Sequence, residues 1–243
     1  MNYAQFRRRL PVTGKNICEE IYRRHRGEIR IKKAATAVHN LEKIFQAALK
    51  ISNRRGFQAM SMRDLSRETG LSTGALYAYF SSKEELLKMM QEQRRGIVAR
   101  VLDQAVAGAA GPAEKLAAAI RAHLYLSEAL QPWFYFSFME AKNLPPSQKK
   151  AAVAGSRSTE KLLADIIADG VRTGVFTTPE PLLTASLIKA MLQDWYLKRG
   201  KYRARRLTVD RYAEFTITMV MAFLIPGIGA SPARGKTLDD RQG

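Results

Sequence analysis

Ser61-Met-Arg-Asp-Leu-Ser-Arg-Glu-Thr-Gly70-Leu-Ser-Thr-Gly-Ala-Leu-Tyr-Ala-Tyr-Phe80 is the stretch whose reading decides the fold. Ser61 is a good N-cap, because its hydroxyl accepts from a free amide of the turn that follows. The pattern predicts a helix over 62–69. Gly70 suits the left-handed backbone that ends a helix and turns the chain. Leu71 is an apolar residue placed in the turn, where it pins two helices together. Ser72 caps again, and a short helix is expected over 73–79, opening on Thr73-Gly74-Ala75. Two short helices joined by a tight Gly turn have the layout of a helix-turn-helix. Helical hairpins that merely pack share this spacing, so the identities of the residues have to separate the two.

Outward from this motif the whole chain reads as helical. Ala37, Leu41, Ile44, Phe45, Ala48, Leu49 and Ile51 recur at helical spacing over 33–54, and Gly56 stops that helix. Ser81-Ser82 opens another that runs to about residue 108, where Gly-Ala-Ala-Gly-Pro breaks it. Further helices fit 16–26, 113–130, 132–142, 147–173, 179–199 and 208–225. No hairpin dipeptide lies between alternating β-branched residues. Only Glu28-Ile29-Arg30-Ile31 alternates, and it is too short to carry a sheet. The fold class is all-α, with four segments: a basic extension over 1–38, a helix-turn-helix domain over 39–90, a helical domain over 91–226, and a Gly/Pro/charge-rich tail over 227–243, expected to be disordered.

Charge points to the partner. The 243 residues carry 40 Lys/Arg against 22 Asp/Glu, a net charge of +18. That surplus favours a polyanion, either nucleic acid or an acidic membrane surface. Residues 1–38 hold ten Lys/Arg and three Asp/Glu, including Arg7-Arg8-Arg9, so the surplus begins beside the motif. The extension reads as an arm or added helix that clamps the DNA backbone, or slips Arg7, Arg8 or Arg9 into the minor groove. The bland alternative is a solvated tail.

Several classes are set aside. Cys18 is the only cysteine, so no intrachain disulfide forms, and with no His/Cys cluster no metal site is expected. This fits a reducing cytoplasm. No apolar run approaches the roughly 18 residues that span a bilayer, so no membrane partner is expected. There is no Gly-rich phosphate loop, metal-ligand spacing or nucleophile motif, so an enzyme is not expected and no cofactor is implied. A helical protein that binds DNA or membrane surfaces through charge alone is the remaining competitor.

The residue identities decide between packing and reading. The run Gly70-Leu-Ser-Thr-Gly-Ala-Leu-Tyr77-Ala-Tyr79-Phe80-Ser-Ser-Lys83-Glu-Glu-Leu86-Leu87 closely resembles the TetR family signature. Ile44-Phe-Gln-Ala-Ala48, Gly56-Phe57 and Ser61-Met-Arg-Asp-Leu65 are similar to that family's first two helices. The resemblance covers about residues 41–88. It implies a transcriptional regulator, in the family's usual form a repressor. It implies a homodimer on a pseudo-palindromic site in double-stranded DNA, released by a small-molecule effector. It also implies that Ser72–Tyr79 is the recognition helix. Thr73 and Gly74 would face base edges, Tyr77 and Tyr79 would reach phosphate or thymine methyls, and Ser61 and Lys83 would hold phosphates. Ser72, as the cap, belongs to the same surface. Leu65, Leu71, Leu76 and Phe80 read as core. Many relatives have a long polar residue where this chain has Ala78, which removes one base-reading side chain.

The C-terminal half is expected to hold the effector and the second subunit. Trp133-Phe-Tyr-Phe136-Ser-Phe-Met139 is apolar all round, as in a buried helix or a wall shared by core and cavity. With His123 and Tyr125 upstream, His123, Tyr125, Trp133, Phe136 and Met139 are the candidate ligand-binding residues, and the expected ligand is apolar or aromatic. The last two helices carry Leu187, Met191, Trp195, Phe215 and Val220, the candidate dimer interface, as half of a four-helix contact. Between these helices Lys198–Arg206 reads as a basic surface loop.

Overall fold

A computed structural model describes residues 1–10, 14–141 and 146–226, and the side chains of all of these except 146–157. The expected tail from Gly227 lies outside the described residues. Among them every regular element is a helix. Three helices make the head that carries the motif: α3 (Ala34–Arg55), α4 (Met62–Thr69) and α5 (Thr73–Leu76). Helix α6 (Lys83–Ala107) starts in the head, burying Leu86, Leu87, Met89 and Met90. It ends in the second domain, burying Ile97, Val98, Val101 and Leu102 there. The boundary expected at residue 90 therefore falls inside one continuous helix.

The second domain consists of α7 (Pro112–Ala129), α8 (Gln131–Glu140), α9 (Pro146–Arg172), α10 (Pro181–Leu197), α11 (Arg199–Ala204) and α12 (Val209–Leu224). Helix α7 is the central post and packs against α6, α8, α9, α10 and α12. That explains why it buries residues on almost every face, from Leu116 through Ser127, and lacks a polar stripe. At the far end of α9, a Cβ on Gly170 would lie 2.0 Å from the Phe176 ring, so only glycine lets the chain fold back there.

Lys198–Arg206 was expected as a loop but contains α11. Part of its charge is paired within the chain: Arg199 grips Glu128 with two bonds of 2.7 and 2.8 Å, and Lys198 pairs with Asp194 at 2.8 Å.

The extension also folds. Helices α1 (Tyr3–Arg9) and α2 (Gly14–Arg24) lie in it, and α2 packs on α3 and α6. Glu20 of α2 accepts from both terminal nitrogens of Arg100 (2.7 and 2.8 Å) and from Gln93 (2.8 Å) on α6. Helix α1 docks on α7 instead. The Tyr3 and Phe6 rings lie 5.6 and 5.5 Å from that of Tyr125, and the Tyr3 amide donates to Asp210 of α12 at 2.8 Å. Arg7, Arg8 and Arg9 thus sit on a helix anchored to the second domain. Of the two forms expected for the extension, an arm or an added helix, the chain takes the helix, and it docks away from the motif. The physical reason is that Phe6 finds an aromatic partner, which a solvated arm would forgo. Truncating Phe6 to Ala should destabilise the protein by about 3 kcal/mol, the usual cost of emptying a buried aromatic site, and denaturant unfolding measures it.

Candidate nucleic-acid interface and the interior of the helical domain

The reading head is held by its caps. Ser61 accepts from the Asp64 amide at 3.2 Å, and the Asp64 carboxylate accepts in return from the Ser61 amide at 2.9 Å and hydroxyl at 2.6 Å. These bonds to Ser61, helped by Arg55 at 2.8 Å, hold the Asp64 carboxyl well below the usual carboxylate range. Gly70 closes α4 in the left-handed conformation (φ 72°), its amide donating to Ser66. The Ser72 hydroxyl accepts from the Ala75 amide at 3.1 Å.

After one turn of α5 the chain tightens. Ala78 and Tyr79 donate to carbonyls three residues back, at 3.2 and 3.0 Å. The recognition helix is therefore shorter than the 73–79 expected. Leu76, Tyr79 and Phe80 turn inward and are buried. Ser61, Ser72, Gly74 and Tyr77 are exposed and Thr73 is half-buried, so these five share the open side of the motif. Tyr77 is 45% exposed, whereas Tyr79 is 2% exposed and its hydroxyl accepts from Asn40 at 2.8 Å. Tyr79 is a packing residue, which corrects its assignment as a DNA contact. The tightening after Leu76 rotates it into the core. Lys83 donates to the carbonyls of Gln58 (3.0 Å) and Met60 (3.4 Å), so its ammonium already braces the loop after α3.

One basic residue of the extension, Arg30, ends directly beside the motif. The Arg30 amide donates to the Ala78 carbonyl at 2.9 Å, stitching the end of the extension to the end of the recognition segment. Ile29 is buried and Arg30 exposed, so the short alternation was the available signal.

In the helical domain the candidate ligand residues part company. Trp133 meets Phe45 edge-on at 5.7 Å, and Phe136 meets Phe57 at 6.0 Å. Both belong to the seam between α8 and the head, not to a chamber in the second domain. Met139 is exposed, and Tyr125 is sealed by α1 with its hydroxyl on Asp210 at 2.6 Å. Trp133, Phe136 and Tyr125 are thus taken up by packing within the chain, and Met139 lies in the open. His123 alone faces a polar interior. Its Nε2 lies 3.2 Å from the Lys189 ammonium, and its ring stands edge-on to Phe134 at 5.6 Å. Burial, then Lys189 and Arg94, hold the His123 pKa well below its ordinary value. Burial, then Arg94, pushes Lys189 down to about 7.

The dimer candidates divide as well. Leu187 and Phe215 are exposed, as are Leu182 and Leu183 on α10 and Met219 and Phe223 on α12. Trp195 and Val220 are buried and Met191 is half-buried, which corrects Trp195 and Val220 as surface residues. Trp195 stacks on Tyr202 at 5.2 Å and donates to Glu128 at 3.1 Å. Its large ring is a core filler for α11 and α12. Among the described residues no three His, Cys, Asp or Glu side chains are placed to hold a metal, and no helix is long and apolar enough to cross a membrane.

A one-turn recognition segment on three helices, joined by a shared helix to an α-helical domain, defines a helix-turn-helix regulator. Residues 44–90 match the family model of bacterial regulatory proteins of the tetR family, and residues 109–220 match the tetracyclin repressor-like C-terminal domain. The chain belongs to the TetR family of transcriptional regulators. It is 22% identical over 194 residues to the HTH-type transcriptional regulator HbdR of Aromatoleum sp., spanning 80% of this chain and 82% of that one. The solved structure of the TetR family regulator PfmR from Thermus thermophilus is 27% identical, with TM-score 0.63, covering 75% of this chain and 97% of its own. AibR, solved with isovaleryl coenzyme A and operator DNA, shares the fold at TM-score 0.65 and 20% identity, over 72% of this chain and 95% of its own.

Two outcomes follow from this geometry. Tyr77→Ala should leave the melting temperature close to wild type while weakening specific DNA binding by about 1–3 kcal/mol in a filter or anisotropy titration. Tyr79→Ala should instead lose about 3–5 kcal/mol of fold stability. The second outcome concerns pH. A lysine depressed from 10.5 to about 7 is neutral in the native protein where the unfolded chain still binds a proton. Its contribution to stability therefore rises with pH from about 7 towards 10.5. Between pH 7 and 9, Lys189→Met should flatten the rise in urea midpoint seen for wild type.

Proposed function

We propose that this protein is a sequence-specific DNA-binding repressor that works in the cytoplasm as a homodimer on a pseudo-palindromic operator and is released by a small-molecule effector. The observation that carries the reading is the split within the recognition segment. Leu76, Tyr79 and Phe80 lock it from below, leaving Thr73, Gly74 and Tyr77 on the open side. A hairpin that only packs has no reason to keep a tyrosine out of its core. Thr73 and Gly74 face base edges on this reading. Tyr77 and the hydroxyls of Ser61 and Ser72 reach the backbone, Lys83 offers its remaining proton to a phosphate, and Arg30 adds a contact at the end of the segment. Arg7, Arg8 and Arg9 meet the polyanion only where its path passes the second domain.

The exposed Leu182, Leu183, Leu187, Phe215, Met219 and Phe223 support the dimer. Six large apolar side chains in the open on two neighbouring helices form a patch that monomers seldom leave uncovered. A second copy of α10 and α12 covers it by two-fold symmetry. Effector release has support of another kind: AibR, of the same fold, was solved with both a coenzyme A thioester and its operator. An effector releases DNA here only by binding better to a state whose two heads no longer fit the operator.

Selection of bound sequences from random duplex DNA tests the reading. The expected result is a two-fold related site, with half-sites about one helical turn or more apart. The doubly substituted Leu187→Glu/Phe215→Glu protein should sediment as one chain and lose that site by at least tenfold in affinity. Binding without sequence preference would place the protein with charge-driven DNA binders instead.

A further inference from the structure

The interior of the second domain contains a group of basic side chains with nothing acidic bonded to them. Arg94 comes from α6, His123 from α7 and Lys189 from α10. His123 is 1% exposed and Lys189 8%, whereas Arg94 is half-buried. The Arg94 Nε is enclosed and without a partner, as is Nδ1 of His123. With the Lys189 ammonium donating to Nε2 of His123 at 3.2 Å, the proton of the neutral ring sits on Nδ1. The orphans of this group are then both donors. Among the described residues neither Arg94 nor Lys189 forms an ion pair. The nearest acidic influence on Lys189 is Glu160 of α9, and its carboxylate accepts from Ser186 at 2.7 Å.

This differs from the chain's practice elsewhere. Arg199 has Glu128, Arg121 has Glu214, Arg100 has Glu20, and the buried carboxylate of Glu140 accepts from the Phe57 amide. Burying the Lys189 ammonium within the influence of a second cation, with donors left free, is unfavourable in a way that apolar residues of the same size would avoid. A missing acceptor explains the pattern. Aromatic rings lie beside the group: the Phe134 ring is 5.6 Å from the Arg94 guanidinium carbon and 5.2 Å from the Tyr196 ring.

We propose that Arg94, His123 and Lys189 form the anchor of the effector site, and that the effector is an organic acid whose carboxylate meets these donors while its apolar body lies along Phe134 and Tyr196. The proposal rests on reading this domain as the effector-binding half, and it replaces the purely apolar ligand expected from the aromatic run. A carboxylate supplies the four or so lone pairs that two cations and an imidazole N–H can share. It also reverses the repulsion between Arg94 and Lys189, which with burial holds the lysine at about 7. Phe134 sits on α8, the helix whose Trp133, Phe136 and Glu140 grip the head. A ligand that moves Phe134 therefore acts on the element that orients the reading surface.

The test uses the full-length protein without DNA, with octanoate and benzoate as acid probes. Octanamide and benzamide serve as neutral isosteres, and inorganic phosphate as a bare anion. Calorimetric titration and thermal shift should show at least one acid binding at least tenfold more tightly than its amide. Lys189→Met should abolish that preference while its unliganded melting temperature stays level with wild type or rises, because a buried charge has gone. Should Lys189→Met not fold, Arg94→Met carries the same comparison. The proposal is overturned if acids and amides bind alike, if neither acid binds at millimolar concentration, if only phosphate binds, or if the variant keeps the acid preference. Because DNA is absent, a failure of operator binding would count against the proposed function and leave this result standing.

Discussion

The Phe57 amide donates to the Glu140 carboxylate at 3.0 Å, and the rest of the arrangement depends on that contact. Phe57 is buried directly after the end of α3, in the head, and Glu140 is the last residue of α8, in the second domain. A carboxylate in so enclosed a place is tolerated only when its lone pairs are met. Phe57 on Phe136, Phe45 on Trp133 and the Asn53 amide on the Pro132 carbonyl at 3.1 Å surround it. Together they make the head and α8 one packed body, with α6 running through both. The head's direction is thus set by a helix of the other domain and not by a free linker.

Within the head the economy is local. Ser61 with Asp64, Gly70 with Ser66 and Ser72 with Ala75 close α4 and α5 without help from distant residues. So short a recognition segment holds its shape because Leu76, Tyr79 and Phe80 are clamped from inside and Arg30 is bonded to Ala78 from the side. A one-turn helix would be unstable alone. Here tertiary packing carries it, which frees its outward side chains for a surface role.

The second domain balances two demands. Helix α7 is buried on nearly all sides and stabilises the fold, while α10 and α12 leave large apolar side chains in the open. Arg94, His123 and Lys189 sit between these regions, at the meeting of α6, α7 and α10, one aromatic ring away from α8. On the reading proposed above, α10 links the ligand to the subunit contact and α8 links it to the reading head.

The sequence by itself determined the all-helical class, the positions of most helix ends and the two-helix motif. Caps, glycine turns and 3.6-residue periodicity are local interactions that a short window contains in full. The TetR signature over 70–87 was likewise legible, because it lies in one unbroken run. What only the tertiary structure decided was which face of each helix looks outward. Tyr77 and Tyr79 stand two residues apart in the same run, yet the tightening after Leu76 sends one to solvent and the other to Asn40. Trp195 and Leu187 share α10, yet Glu128, Tyr202 and Tyr212 draw the tryptophan inward. Arg7–Arg9 read equally as an arm or as an added helix until Tyr125, more than a hundred residues away, gave Phe6 a partner. Arg94, His123 and Lys189 come from three helices and have no spacing to betray them. Their meeting is a product of packing, and only packing makes their charges scarce in partners.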